Sequence, residues 1–188
     1  MTQINSATRE LHYTVVYYGA SASGKTTNLR FIQQRAMPHE PQALRSWADQ
    51  DGRTAFFDQV SLPFGVQRRL LTVLHLLAVP GATMYTHTRT ALLSNVDGVV
   101  FVADARPAAW AANQARWHEL HAALDEHRRS SVPIVLQHNH TDAADALDVP
   151  TLHEIFVNNH AHVTASAATG VGVLATLQMI SNRLFAKL

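Results

Sequence analysis

The run Gly19-Ala20-Ser21-Ala22-Ser23-Gly24-Lys25-Thr26-Thr27 contains the phosphate-loop pattern G-x-x-x-x-G-K-[ST], and no other stretch restricts the possible folds so tightly. The pattern works only between a strand and a helix. Upstream, residues 11–18 are rich in β-branched and aromatic side chains and read as a buried strand. Downstream, Leu29 with Ile32 or Gln33 falls at helical spacing, so a helix opens at the loop. Gly19, Ala22, Ser23 and Gly24 let successive backbone N–H groups curl around a phosphate, and the helix beginning near Thr27 adds partial positive charge. Lys25 is placed to reach the β- and γ-phosphates, and the Thr26 hydroxyl to ligate Mg²⁺. The expected ligand is a nucleoside triphosphate or its diphosphate.

The rest of the chain supplies a matching scaffold. A loop holding Pro38 and Pro41 extends to about Trp47. Two extended segments, 54–62 and 69–79, flank Pro63-Phe64-Gly65, which predicts a hairpin turn at that point. Residues 98–104 are almost continuously apolar, as strands of a parallel sheet are when both faces are covered. Pro107 suits the start of a helix that aligns Trp110, Trp117, Leu120 and Leu124 on one stripe. Further strands are predicted at 133–137 and 161–165, and a last helix from about Val171 with Val173, Leu177, Ile180 and Leu184 inward. Strands alternating with helices predict an α/β fold of the P-loop NTPase class, a mostly parallel sheet with helices on both faces. The whole chain, 1–188, reads as one domain.

Charge and composition narrow the chemistry. The formal net charge of +1 gives no bulk attraction to nucleic acid or to an anionic membrane. Without cysteine there is no disulfide and no thiolate chemistry. The first residues lack a basic stretch followed by an apolar one, and no run of about 18 apolar residues occurs, so membrane insertion is not expected and a cytoplasmic location is. The histidines come in pairs, His138 with His140, His160 with His162 and His118 with His121, but no third ligand stands at zinc-site spacing. They read as solvated or core side chains, and Trp110 and Trp117 as core.

After the strand at 133–137 stands Asn139-His140-Thr141-Asp142, which resembles the N-K-x-D box of Ras-like GTPases with histidine in place of lysine. A carboxylate such as Asp142 accepts only, and so matches the N1–H and exocyclic amine of guanine, a donor pair that adenine lacks. His140 could stack on the base where the lysine stem normally lies. Ser166-Ala167-Ala168 resembles the S-A-K box whose backbone N–H contacts the guanine oxygen.

From Tyr13 nearly to the C-terminus the chain resembles the MglA family, bacterial Ras-like GTPases of cell polarity and motility. The similarity lies in Tyr17-Tyr18-Gly19, residues 23–29, Arg53-Thr54, Phe56-Phe57-Asp58, Val79-Pro80-Gly81, residues 97–104 and residues 132–135. It implies GTP or GDP with Mg²⁺ as cofactors, Thr54 as the switch threonine that ligates the ion, Gly81 beside the nucleotide, and Arg53 as an arginine finger supplied within the chain. It also implies a Roadblock-type homodimeric regulator and effectors acting on the switches, with placement at a cell pole. Two departures stand out. Where MglA proteins read T-V-P-G-Q, this chain reads Ala78-Val79-Pro80-Gly81-Ala82. Alanine at 82 cannot orient an attacking water, and Ala78 offers no partner to the water shell of Mg²⁺. The expectation is a guanine-nucleotide switch with slow or impaired hydrolysis. The alternative is a pseudo-GTPase module holding one nucleotide state; an adenine-using P-loop kinase or ATPase is opposed by the Asn139–Asp142 box and by the lack of an arginine-rich lid.

Overall fold

Every residue of strand β6, Gly98–Asp104, is buried, and a strand of that kind belongs inside a parallel sheet. The computed structural model describes residues 3–5, 8–39, 45–47, 57–79, 86–154, 156 and 160–186. In it, β6 lies between β2 (Glu10–Tyr18) and β7 (Ile134–Asn139). The sheet runs in the order β3 (Arg45–Trp47), β4 (Phe57–Gln67), β5 (Leu70–Ala78), β2, β6, β7, β8 (Ala161–Thr164). An eighth strand, β1 (Gln3–Asn5), pairs with the first part of β2. β2 is parallel to both β5 and β6, and β6–β7 and β7–β8 are parallel as well. The β1–β2, β3–β4 and β4–β5 pairs are antiparallel. The α/β reading therefore holds.

Period-two alternation in β6 divides the core between two faces. Val100 and Val102 join one cluster with Leu29 and Ile32 of α1 (Lys25–Ala36) and with Leu177, Ile180 and Leu184 of α5 (Val173–Phe185). Val99, Phe101 and Ala103 join the other with Leu93 of α2 (Thr86–Leu93), Leu152 of α4 (Val149–His153), and Trp117, Leu120 and Leu124 of α3 (Trp110–Glu126). Trp117 meets Phe101 edge-on at 5.1 Å between ring centroids, and Trp110 packs partly buried against the same cluster. Both tryptophans are core, as the helical stripe predicts. Pro107 opens a single 3₁₀ turn, Pro107–Ala109, that leads into α3.

The Pro63-Phe64-Gly65 hairpin is a correction. β4 runs straight through these residues, and its register against β5 slips between Pro63 and Val66. Three steps on β4 oppose two on β5, so Phe64-Gly65 forms a β-bulge, with Gly65 at φ 76°. The reversal falls instead on Arg68-Arg69, between the paired residues Gln67 and Leu70, with both arginines at positive φ. The loop expected to extend to Trp47 likewise contains β3, and β1 was not foreseen. Both strands are three residues long and hydrogen-bond to a longer neighbour, so pairing rather than local sequence determines them.

Chain order places β5 on one side of β2 and β6 on the other. Ligands of open α/β sheets sit at such a reversal, beyond the carboxyl ends of the strands. The loop leaving the end of β2 is the phosphate-loop sequence.

Candidate functional site

The loop between β2 and α1 takes its shape from residues that tolerate left-handed backbone. Gly19 and Gly24 have φ of 147° and 98°, and Ala22 stands at 58°. A Cβ on Gly19 would come within 2.3 Å of the Val102 carbonyl oxygen, and one on Gly24 within 2.1 Å of Asn139 Nδ2. Neither position has room for a side chain. Lys25, the first residue of α1, folds back over the loop. Its Nζ donates to the carbonyls of Gly19 (3.1 Å) and Ala20 (2.5 Å) and to Ser23 Oγ (3.4 Å). Burial, with lesser repulsion from Arg89 and Arg116, pulls the Lys25 ammonium down to a pKa of about 8. A buried cation of this kind, held among the described residues by neutral carbonyls and a hydroxyl, suits an incoming phosphate.

The Thr26 hydroxyl donates to Asp58 Oδ2 at 2.6 Å. Asp58 sits on β4 directly across the ladder from Ala78 of β5. A carboxylate thus faces the Thr26 hydroxyl from the strand beside the one that carries alanine. A hydroxyl and a carboxylate oxygen are hard donors, and the pair fits a hydrated Mg²⁺. Sequence reasoning noted Asp58 only within a family-like stretch and gave it no role. Its contact with Thr26 depends on the β4–β5 register.

Asn139, fully buried at the end of β7, ties the phosphate loop to a second loop. Its Nδ2 donates to the Ser23 carbonyl at 2.7 Å, and its Oδ1 accepts from the Ala167 N–H at 2.8 Å. One side chain therefore fastens the Asn139–Asp142 and Ser166–Ala168 stretches to the phosphate loop. The Ala167 N–H of the S-A-K-like stretch is engaged here. His140, at φ 63°, donates from Nε2 to the Ala22 carbonyl at 3.1 Å. The ring reaches the phosphate loop where the sequence suggested stacking on a base. Thr141 binds the Ala165 carbonyl through both its N–H (3.2 Å) and its hydroxyl (2.9 Å), pinning this turn to the end of β8. Asp142, next in the chain, is exposed, and Ser166 is buried with its hydroxyl lacking a hydrogen-bond partner among the described residues.

Behind the loop, Asn28 of α1 donates to the Gly24 carbonyl (2.9 Å) and accepts from Gln137 Nε2 (2.9 Å). Gln137 also reaches Thr176 Oγ1 of α5 at 2.9 Å. A buried polar chain through α1, β7 and α5 thus supports the phosphate loop. At the end of β6, Asn113 clamps the backbone of Asp104 through both its side-chain atoms, at 3.1 and 2.8 Å. Burial works to raise the carboxyl of Asp104, but hydrogen bonds from Arg106 outweigh it and hold the group below its ordinary range. Neither Asn28, Gln137 nor Asn113 belongs to the phosphate-loop pattern, and no local signal marks them.

Arg53, Thr54, Gly81 and Ala82 lie outside the described residues. Among the described residues no group of three or more His, Cys, Asp or Glu side chains is arranged to hold a metal ion, and no helix is long and apolar enough to cross a membrane.

No protein-family model matches the chain. It is 35% identical over 193 aligned positions to the mutual gliding-motility protein MglA of Myxococcus xanthus (strain DK1622), an alignment covering 100% of this chain and 98% of that protein.

Proposed function

The chain belongs to the MglA-type Ras-like GTPases, and from that premise we propose a guanine-nucleotide switch, a single domain over 1–188, whose hydrolytic step is slow or impaired. Family membership carries guanine-nucleotide binding with it. The observation that supports the site best is the pair of hydrogen bonds that Asn139 makes, one to Ser23 in the phosphate loop and one with Ala167 in the base-side loop. One buried amide puts both halves of a nucleotide pocket in register.

Lys25 would counter the charge of the β- and γ-phosphates, and Thr26 with Thr54 would hold Mg²⁺, with Asp58 beside Thr26. The ion, when bound, neutralises phosphate charge. Asp142 would select guanine, and Arg53 would stabilise charge that develops on the γ-phosphate. What position 82 lacks is a group to orient water. Ala82 has neither donor nor acceptor in its side chain. Positioning and charge stabilisation are nearly all that a protein contributes to this reaction, so losing one part slows it strongly.

The partners that fit this reading are a Roadblock-type homodimeric regulator and effectors that distinguish the nucleotide states, in a cytoplasmic setting linked to cell polarity or gliding motility. A second reading, a pseudo-GTPase module held in one nucleotide state, is favoured by the coincidence of Ala78 and Ala82 in one segment. Single-turnover phosphate release separates the two. The switch reading expects wild-type turnover no faster than unassisted Ras, about 10⁻⁴ per second, and a measurable gain in Ala82→Gln that disappears in Arg53→Ala/Ala82→Gln. A silent Ala82→Gln, with or without the regulator, favours the fixed module.

A further inference from the structure

Two turns meet at the end of the sheet remote from the phosphate loop. One holds Thr8 and Arg9 before β2, and the other is Arg68-Arg69 between β4 and β5. The Leu71 N–H donates to the Arg9 carbonyl at 3.0 Å, which sets the turns side by side. Arg9, Arg68 and Arg69 are all exposed, and none pairs with a carboxylate among the described residues. The neighbouring acids are engaged elsewhere. Glu10 accepts from Thr8 Oγ1 at 2.7 Å and lies 3.3 Å from His12 Nε2, and Asp97 accepts from the Thr14 N–H at 2.9 Å.

Apolar side chains stand among these charges. Val66 and Leu71 oppose each other across the β4–β5 ladder and are 64% and 41% exposed. Of the four large apolar side chains exposed among the described residues, these two form a cross-strand pair beside three cations. The backbone points the same way. Arg9, Arg68 and Arg69 hold φ of 57°, 49° and 66°, where Asn or Gly sits at less cost. Both turns would close more easily without arginine, so the side chains themselves are what these positions retain.

We propose that this corner is a docking surface for an anionic lipid bilayer, with the three guanidiniums on headgroup phosphates and the Val66–Leu71 pair entering the interface. The net charge of +1 describes the chain as a whole and does not govern a local patch of three cations. Soluble polyanions would use the arginines alone, whereas a bilayer interface uses the charges and the apolar pair together. β2, nine residues and about 30 Å long, separates the corner from the phosphate loop. A chain docked here leaves that loop clear of the bilayer, and the inference does not depend on which nucleotide the loop holds. Each basic side chain at an anionic surface contributes about fivefold to partitioning, so three give about a hundredfold and the attachment stays reversible.

Sedimentation of the full chain with vesicles tests this at about 0.1 M salt, using equal parts phosphatidylglycerol and phosphatidylcholine against phosphatidylcholine alone. Wild type is expected to favour the anionic vesicles by about a hundredfold and to lose that preference as salt is raised. Arg68→Asn/Arg69→Gly suits the turn and should lower binding about 25-fold. Arg68→Lys/Arg69→Lys, equal in charge, should bind nearly as wild type does. Val66→Ser/Leu71→Ser, at exposed positions that leave every charge in place, should also weaken binding. Equal wild-type binding to the two vesicle types overturns the proposal, as does unchanged binding in Arg68→Asn/Arg69→Gly. Full binding by Val66→Ser/Leu71→Ser, together with displacement of wild type from the vesicles by soluble polyglutamate, also overturns it and makes an acidic macromolecule the occupant.

Discussion

Thr26 and Asp58 are joined by a 2.6 Å hydrogen bond across the mouth of the phosphate loop, with the Asp58 backbone paired to Ala78. Position 78 carries only a methyl group. The carboxylate at 58 reaches the same place from the adjacent strand. On the switch reading proposed above, Asp58 would take the part in a Mg²⁺ water shell that Ala78 leaves open.

Asp58→Ala should weaken Mg²⁺-dependent GTP binding by roughly 10- to 100-fold, the usual effect of removing a group that orients a metal's surroundings. Its effect without Mg²⁺ should be small. Nucleotide titrations at several Mg²⁺ concentrations check this, and an equal loss with and without the ion would place Asp58 in a purely structural role.

Asn139→Ala removes both bonds of that amide and leaves the Ser23 carbonyl and the Ala167 N–H buried without it. Unmet groups of this kind cost about 1–3 kcal/mol each. Chemical denaturation should show a loss of about 2–6 kcal/mol, and nucleotide release should quicken because the two loops no longer hold a common register. A stable variant with an unchanged release rate would mean that the loops are aligned by other contacts.

The phosphate loop was legible because its geometry is local. Gly19 and Gly24 sit where any side chain would collide, and the flanking strand and helix follow from short-range patterns. The buried strand β6 was legible from its unbroken apolar run, and α5 from its inward stripe. Asp58 and Asn28 were not, because each acquires its role from a partner brought near by tertiary structure. The β4–β5 turn failed for a different reason. Pro63-Phe64-Gly65 is a strong punctuation signal, and in this sheet it marks a bulge, whereas Arg68-Arg69 carries no turn signal at all.

That turn can be improved. Arg68 and Arg69 are held at φ 49° and 66°, and a two-residue hairpin with both central residues at positive φ favours Asn-Gly. Left-handed backbone costs about 1–2 kcal/mol for an ordinary L-residue. Arg68→Asn/Arg69→Gly should therefore raise stability by about 1–2 kcal/mol after the entropy lost to glycine is counted. The turn lies at the start of β5, away from the phosphate loop at the end of β2, so nucleotide affinity should not change. Urea unfolding and nucleotide titration of the double variant check both parts.

Lys25 makes nucleotide binding depend on pH in a direction that can be worked out. Burial, then Arg89 and Arg116, lower its pKa from 10.5 to about 8 in the ligand-free fold. Between about 8 and 10.5 the unfolded chain holds a proton that the folded chain has shed, so ligand-free stability should rise with pH across that window. Binding runs the other way. Phosphate charge favours the ammonium and lifts its pKa, so above pH 8 the complex must take up a proton, and affinity falls as pH rises. From pH 7 to pH 9 the loss should be about tenfold, following one proton per decade above the ligand-free pKa. Calorimetry in buffers of different ionisation enthalpy should find close to one proton taken up at pH 9 and almost none at pH 7. Lys25→Arg supplies the control: its guanidinium does not titrate in this range, so whatever binding it retains should lack this slope. Titration of the nucleotide itself is common to both proteins and cancels in the comparison. Equal slopes in the two would mean that Lys25 keeps its proton throughout, and that the phosphate loop already stabilises the ammonium before any ligand arrives.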